Sequence, residues 1–187
     1  LQRFGVDFSY IVNSRITDDV FVKGFRNFLA AVNVVKNFKD ARIGQISTRP
    51  KDFYSVIVNE GELLERFGIQ TVPYDLGKLT ASVKKLAANP DEEVRAAAEA
   101  FKSRVDFSEM TDDAPLKMAA LKAALLKWKS EEQLNAAAFQ CWDQLQMELG
   151  ICPCFVNSVL IECGFPVSCE TDIHGAVSML LQQAATN

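Results

Sequence analysis

The chain has 187 residues, 49% of them hydrophobic, which is enough for one sizeable core and short for two. Its formal net charge of -4 and pI near 5.1 argue against the clustered basic footprint of a nucleic-acid binder. No apolar run reaches the roughly 18 residues of a membrane span, and the N-terminal stretch lacks the segments of a signal peptide. Five cysteines, an odd number in a chain large for a disulfide scaffold, point to a reducing, cytoplasmic setting. A first residue of Leu rather than Met suits a piece of a longer protein.

In chain order, Phe4, Val6, Phe8, Tyr10 and Val12 alternate with polar residues, a strand pattern over 4–12. Thr17-Asp18-Asp19 opens a helix, and Phe21, Phe25, Phe28, Leu29 and Val32 recur at helical spacing to about Phe38. A strand over Ala41–Ser47, a helix from about Asp52 to Phe67 capped by Gly68, and a strand over Ile69–Asp75 make a βαβ unit with parallel strands. A helical insert follows over about 77–149. It comprises Gly77–Ala88, a helix from Asp91, one with Pro115 in its first turn, and one opened by the capping box Ser130-Glu131-Glu132-Gln133 that runs to Gly150. A short helix over about Phe155–Cys163, a turn at Gly164-Phe165-Pro166, a strand "PVSC" and a helix from Ile173 to about Ala184 complete the chain. The class is α/β: a parallel sheet of few strands with flanking helices, Rossmann-like, with a helical insert, in one domain over 1–187.

Several groups of side chains bear on function. Cys152, Cys154, Cys163 and Cys169 lack the C-x(2-4)-C pairing of structural zinc and the C-x-x-C of a redox motif, so they are read as small buried packing residues. His174, the single histidine, sits in the first turn of a helix, and no G-x-S-x-G frame accompanies it. Any metal here must therefore be held mainly by carboxylates, which favours Mn²⁺ or Mg²⁺. Asp172 falls where a helix N-cap belongs. Glu148 lies in the last turn of a helix, where a carboxylate is disfavoured by about 0.3–1 kcal/mol unless an ion, a lysine or an arginine is near. Glu162 stands in the same way before Gly164, and Glu170 lies beside Asp172. Arg49 follows a strand's carboxyl end, where α/β sheets gather ligands, and reads otherwise as an exposed turn arginine.

"ARIGQISTRPKDFYSVIVNEGELLERFGIQTVPYDL" resembles the middle region of the L-fucose isomerase / L-arabinose isomerase superfamily. "QCWDQLQMELGICPCFVNSVLIECGFPVSCETDIHGAVSMLLQ" resembles that family's metal-binding stretch, through "CW", a helix-ending glutamate, "PC", a Gly-x-Pro turn and "CE-x-D-x-x-G". The resemblance implies the central domain of a longer aldose–ketose isomerase, with a metal-loop segment over about 148–175. It implies Mn²⁺ or another divalent cation held by a glutamate, an aspartate and a histidine, with the two carboxylates carrying a proton between C1 and C2 through an ene-diol. Asp172 matches the aspartate; Glu148 is taken as the glutamate, with Glu162 and Glu170 as alternatives. The family's histidine comes from a domain outside this segment, and His174 does not match it. The partners implied are a monosaccharide, for which Arg49 is a candidate contact, the remaining domains of the same chain, and further copies in a homo-oligomer, with no nucleic acid and no membrane. By itself this segment is expected to be inactive. The competing expectations are a non-catalytic sugar-binding α/β domain and a domain serving subunit assembly.

Overall fold

The computed structural model describes residues 1–186. Its centre is a parallel sheet of β1 (Arg42–Ile46), β2 (Gln70–Tyr74), β3 (Ala136–Phe139) and β4 (Val167–Ser168), in the order β2-β1-β3-β4. The helices are α1 (Asp19–Phe38), α2 (Glu60–Phe67), α3 (Leu76–Ala88), α4 (Glu92–Lys102), α5 (Ala114–Glu132), α6 (Gln144–Leu149), α7 (Cys154–Glu162) and α8 (Ile173–Thr186). The expected class, a small parallel sheet flanked by helices, is the observed one. Among the described residues no helix is long and apolar enough to cross a membrane.

Strand periodicity divides the core in two. Ile43, Ala136 and Ala138 face one way, against Leu63 of α2 and Ala176, Val177 and Leu180 of α8. Ile46, Ala137 and Phe139 face the other way, against α3, α4, α5 and α7. Gly44 belongs to this second face and is there for space. A Cβ on it would stand 2.4 Å from Trp128 of α5, whose ring also stacks on Tyr74 with centroids 4.8 Å apart. α5 is buried almost all round, because it lies between the sheet and its neighbours α3 and α4.

Three expectations fail. The N-terminal strand over 4–12 does not form: a 3₁₀ turn covers Gln2–Phe4, and Phe4 and Tyr10 are 85% and 82% exposed. Alternation needs a partner strand to become a ladder, and among the described residues none pairs with it. The helix expected from Asp52 begins only at Glu60. The β-branched run Val56-Ile57-Val58 precedes it, and the Asn59 side chain accepts from Glu62 N to cap it.

The third failure is the helix expected from Ser130 to Gly150. Ser130–Glu132 instead finish α5, and Gln133 takes a left-handed conformation, φ 53°. Asn135 then binds the chain to β1, its side chain accepting from Arg42 N at 2.8 Å and its own N–H donating to Arg42 O at 2.9 Å. Ala136–Phe139 follow as β3, the strand that joins β1 to β4. Alanine favours a helix, but a central strand pressed between two helix layers needs small side chains more than it needs β propensity.

Candidate functional site

The chain leaves β1 for β2 on one side and later places β3 on the other, so the sheet has a topological switch point between β1 and β3. Three turns meet at the carboxyl end there: Ser47–Pro50 after β1, Gln140–Asp143 after β3, and Cys169–Asp172 after β4. Gln140 N donates to Ile46 O at 3.1 Å. Thr171 ties the last turn to both inner strands, its N–H donating to Phe139 O at 3.3 Å and its hydroxyl to Ile46 O at 3.4 Å. Glu170 and Thr171 are both left-handed, φ 53° and 56°, a conformation that is costly for a β-branched residue. The bonds of buried Thr171 hold it there.

Asp172 ends the turn after β4 and caps the helix that follows. Its Oδ1 accepts from Gly175 N at 2.8 Å, capping α8, and its backbone carbonyl accepts from the Ser168 hydroxyl at 2.6 Å. Oδ2 has no hydrogen bond among the described residues and lies 2.5 Å from the place a Cβ on Gly175 would take. His174 is exposed in the first turn of α8.

Arg49 stands on the same rim. Its Nη1 donates to Pro50 O and Lys51 O, and its guanidinium lies over the Tyr54 ring, 5.1 Å from the centroid. Trp142, half exposed, meets Phe53 edge to face at 5.8 Å, which joins the turn after β3 to the segment after β1.

The glutamates separate. Glu148, at the end of α6, binds Lys84 Nζ of α3 at 2.5 Å and accepts from Gln144 at 3.2 Å. The ammonium holds its carboxyl below the usual range and offsets the unfavourable helix end. Glu148 and Asp172 share no hydrogen-bond partner among the described residues. Glu162 is taken up by a two-pronged pair with Arg104, at 2.7 and 2.9 Å, which likewise lowers its pKa. Glu170 stays on the turn after β4, where its Oε1 accepts from Cys141 Sγ at 3.2 Å.

The sequence presents the cysteines as buried packing residues, but Cys152, Cys154 and Cys163 are exposed, and Cys141 and Cys169 come together at the Cys169–Asp172 turn. Cys141, Cys169 and Glu170 place their donor atoms within 4.8 Å of one another. The Cys169 thiol is brought down to about 7, chiefly by its interaction with the neighbouring Cys141 thiol, while Cys141 itself is pushed up by that interaction and by burial. Burial and the neighbouring Cys169 charge also raise Cys154. A signal was present in the chain: Cys141 and Cys169 each follow a strand end by one or two residues, in "AAAFQC" and "VSC".

No protein-family model matches the chain. It is similar to the sulfoquinovose isomerases of Priestia megaterium and Priestia aryabhattai, 30% identical over 150 residues, and to that of Alkalicoccus urumqiensis, 32% identical over 150 residues. Each alignment covers 80% of this chain and 33% of the relative, so the chain spans about a third of the length of the curated relatives it matches. The chain is therefore similar to one part of a group of sugar isomerases.

Proposed function

We propose that this chain is part of a metal-dependent aldose–ketose isomerase. The similarity to sulfoquinovose isomerases over 80% of the chain carries this reading. It is supported by the positions of Arg49, Trp142, Glu170 and Asp172 on the turns that follow β1, β3 and β4, at the carboxyl end of the sheet where α/β sheets bind ligands.

The donor chemistry fits a Mn²⁺-type ion in part. Asp172 has an oxygen free of hydrogen bonds beside its capping oxygen, and carboxylates are the hard ligands such an ion takes. Glu148 would join it by exchanging Lys84 for the ion. Residues of the parent protein outside this chain complete the ligand set. When bound, the ion polarises the sugar carbonyl. The chain's own residues do the rest: a carboxylate at Glu148 or Asp172 moves the proton between C1 and C2, Trp142 offers a flat face to the sugar, and Arg49 contacts its polar end.

The substrate is an aldose. Sulfoquinovose heads the panel to be tried because the relatives' names give it, and L-fucose and L-arabinose follow from the family resemblance. The test is ketose formation by the complete protein with Mn²⁺, comparing wild type with Asp172→Asn and Glu148→Gln. Activity that both substitutions abolish in folded protein supports the assignment. A wild type that binds a sugar but converts none replaces it with the sugar-binding reading. Arg49→Met adds a substrate test: KM is expected to rise more for a sulfonated aldose than for a neutral one, since a guanidinium pairs with an anionic oxygen cluster. Equal rises would place Arg49 away from the sulfonate.

A further inference from the structure

We propose that Cys141 and Cys169 are a reversible oxidation site, closing to a disulfide when the protein meets hydrogen peroxide. Their sulfurs lie within 4.8 Å of each other, beyond the ends of the neighbouring parallel strands β3 and β4. A disulfide sets its sulfurs about 2.05 Å apart, so the pair must close by less than roughly 3 Å. Both residues stand on turns, past the paired positions Ala137–Val167 and Ala138–Ser168. Side-chain rotation and a small movement of the turns therefore supply the approach without breaking the sheet.

The two thiols differ in access, and this gives each a role. Cys169 is half-buried, whereas Cys141 is only 2% exposed. The peroxide meets Cys169, whose sulfur takes one peroxide oxygen as the O–O bond breaks; a sulfenic acid forms and water leaves. The Cys141 sulfur then attacks the Cys169 sulfur. The S–O bond breaks, the hydroxyl leaves as water with the Cys141 proton, and the S–S bond forms. Each sulfur gives up one electron and the peroxide takes both. Exchange with a small dithiol reverses the link.

A second observation points to the oxidised intermediate. Asn157 of α7, only 4% exposed, donates from Nδ2 to Cys169 Sγ at 3.6 Å. Its Oδ1 is buried and accepts nothing among the described residues. A thiol in this place leaves that acceptor orphaned, whereas a sulfenic hydroxyl on Cys169 brings the donor it lacks.

The link has a consequence for the neighbouring turns. The Cys141 thiol donates to Glu170 Oε1 at 3.2 Å, and a disulfide has no proton to give. Oxidation thus frees the Glu170 carboxylate and ties the turn that carries Trp142 to the turn that carries Asp172. On the isomerase reading, on which this consequence alone rests, the link lowers activity and a reductant restores it.

The test is to treat the reduced complete protein with hydrogen peroxide, block the remaining thiols with iodoacetamide and map the peptides by mass. Two thiols per chain are expected to be lost to one Cys141–Cys169 link, which dithiothreitol reverses, while the exposed Cys163 stays open to alkylation. Cys169→Ser should abolish the link. Cys141→Ser should leave a sulfenic acid at Cys169 that dimedone traps, and adding Asn157→Leu should slow that trapping about fivefold, the effect of one lost hydrogen bond. Ketose formation, followed on the same samples, should fall with the linked fraction and return on reduction. A linked protein whose reduced form converts no sugar overturns the isomerase reading and leaves the oxidation site standing. Wild type that forms no intramolecular link, or that joins Cys169 to Cys154 instead, overturns the site.

Discussion

Gly175 decides where the Asp172 carboxylate can rest. A Cβ there would stand 2.5 Å from Oδ2 and 2.9 Å from Cγ, so Gly175→Ala must move the acid. Two stability effects oppose each other: alanine gains roughly 1 kcal/mol of helix propensity over glycine, and the displaced cap loses about 0.5–2 kcal/mol. The net change in stability should therefore be small, within about 1 kcal/mol. On the isomerase reading, kcat should fall far more than that change implies, because the displaced group is the proposed ligand. Thermal unfolding and kinetics on the same sample separate the two. A large loss of stability with normal kcat in the folded fraction would make Asp172 a cap alone.

At the scale of elements, sheet and helix layers meet most tightly at Gly44 of β1 and Trp128 of α5. Gly44→Ala places a methyl 2.4 to 2.7 Å from the indole ring and 2.9 Å from Leu134, and should cost about 1–3 kcal/mol as an overpacked core. Denaturant unfolding measures it, and Trp128→Phe in the same chain should recover part of the loss; simple additivity would show that the ring is not what the methyl meets. Arg104 and Glu162 join the end of α4 to α7. Glu162 has a lowered pKa in the fold, so the pair's contribution is fully present above the unfolded pKa near 4.5 and disappears as pH falls through the lower folded value. A double-mutant cycle with Arg104→Ala and Glu162→Ala should show weak coupling at neutral pH that vanishes in acid; unchanged coupling in acid would mean packing on Phe155, not charge, links them.

Elements whose fate is local were legible in the sequence. The two parallel strands to Tyr74, the helix starting at Asp91, Gly68 as a C-cap, and Asp172 as an N-cap all rest on neighbours within a few residues. β3 was not legible, because its strand state comes from its place between β1 and β4 and not from its alanines. The same physics hid the Cys141–Cys169–Glu170 cluster, which two parallel strands assemble from distant stretches. The partner of Glu148 was half legible: a carboxylate at a helix end calls for a cation, but only the fold shows that Lys84 of α3 supplies it.

At the scale of the whole molecule, α1 is out of balance with the rest. It packs along α8, where Asn33 Nδ2 donates to Ala184 O at 2.8 Å, yet none of its residues is buried. Val20, Phe25, Phe28, Leu29, Val32 and Val35 all face solvent substantially, and the arm before them adds Phe4, Phe8 and Tyr10. An apolar stripe this long is an interaction surface or an aggregation liability. Since the match covers only 33% of the relatives' length, its expected cover is a further part of the same protein or a second copy. The 187-residue chain alone should therefore self-associate and bind a hydrophobic dye. Phe28→Glu with Val32→Glu should make it monomeric with its circular dichroism unchanged, because neither side chain supports the core. In the complete protein the same pair should weaken assembly or stability, measured by light scattering and thermal unfolding. If the doubly substituted complete protein assembles and unfolds like wild type, α1 faces water there too, and the stripe has no partner to lose.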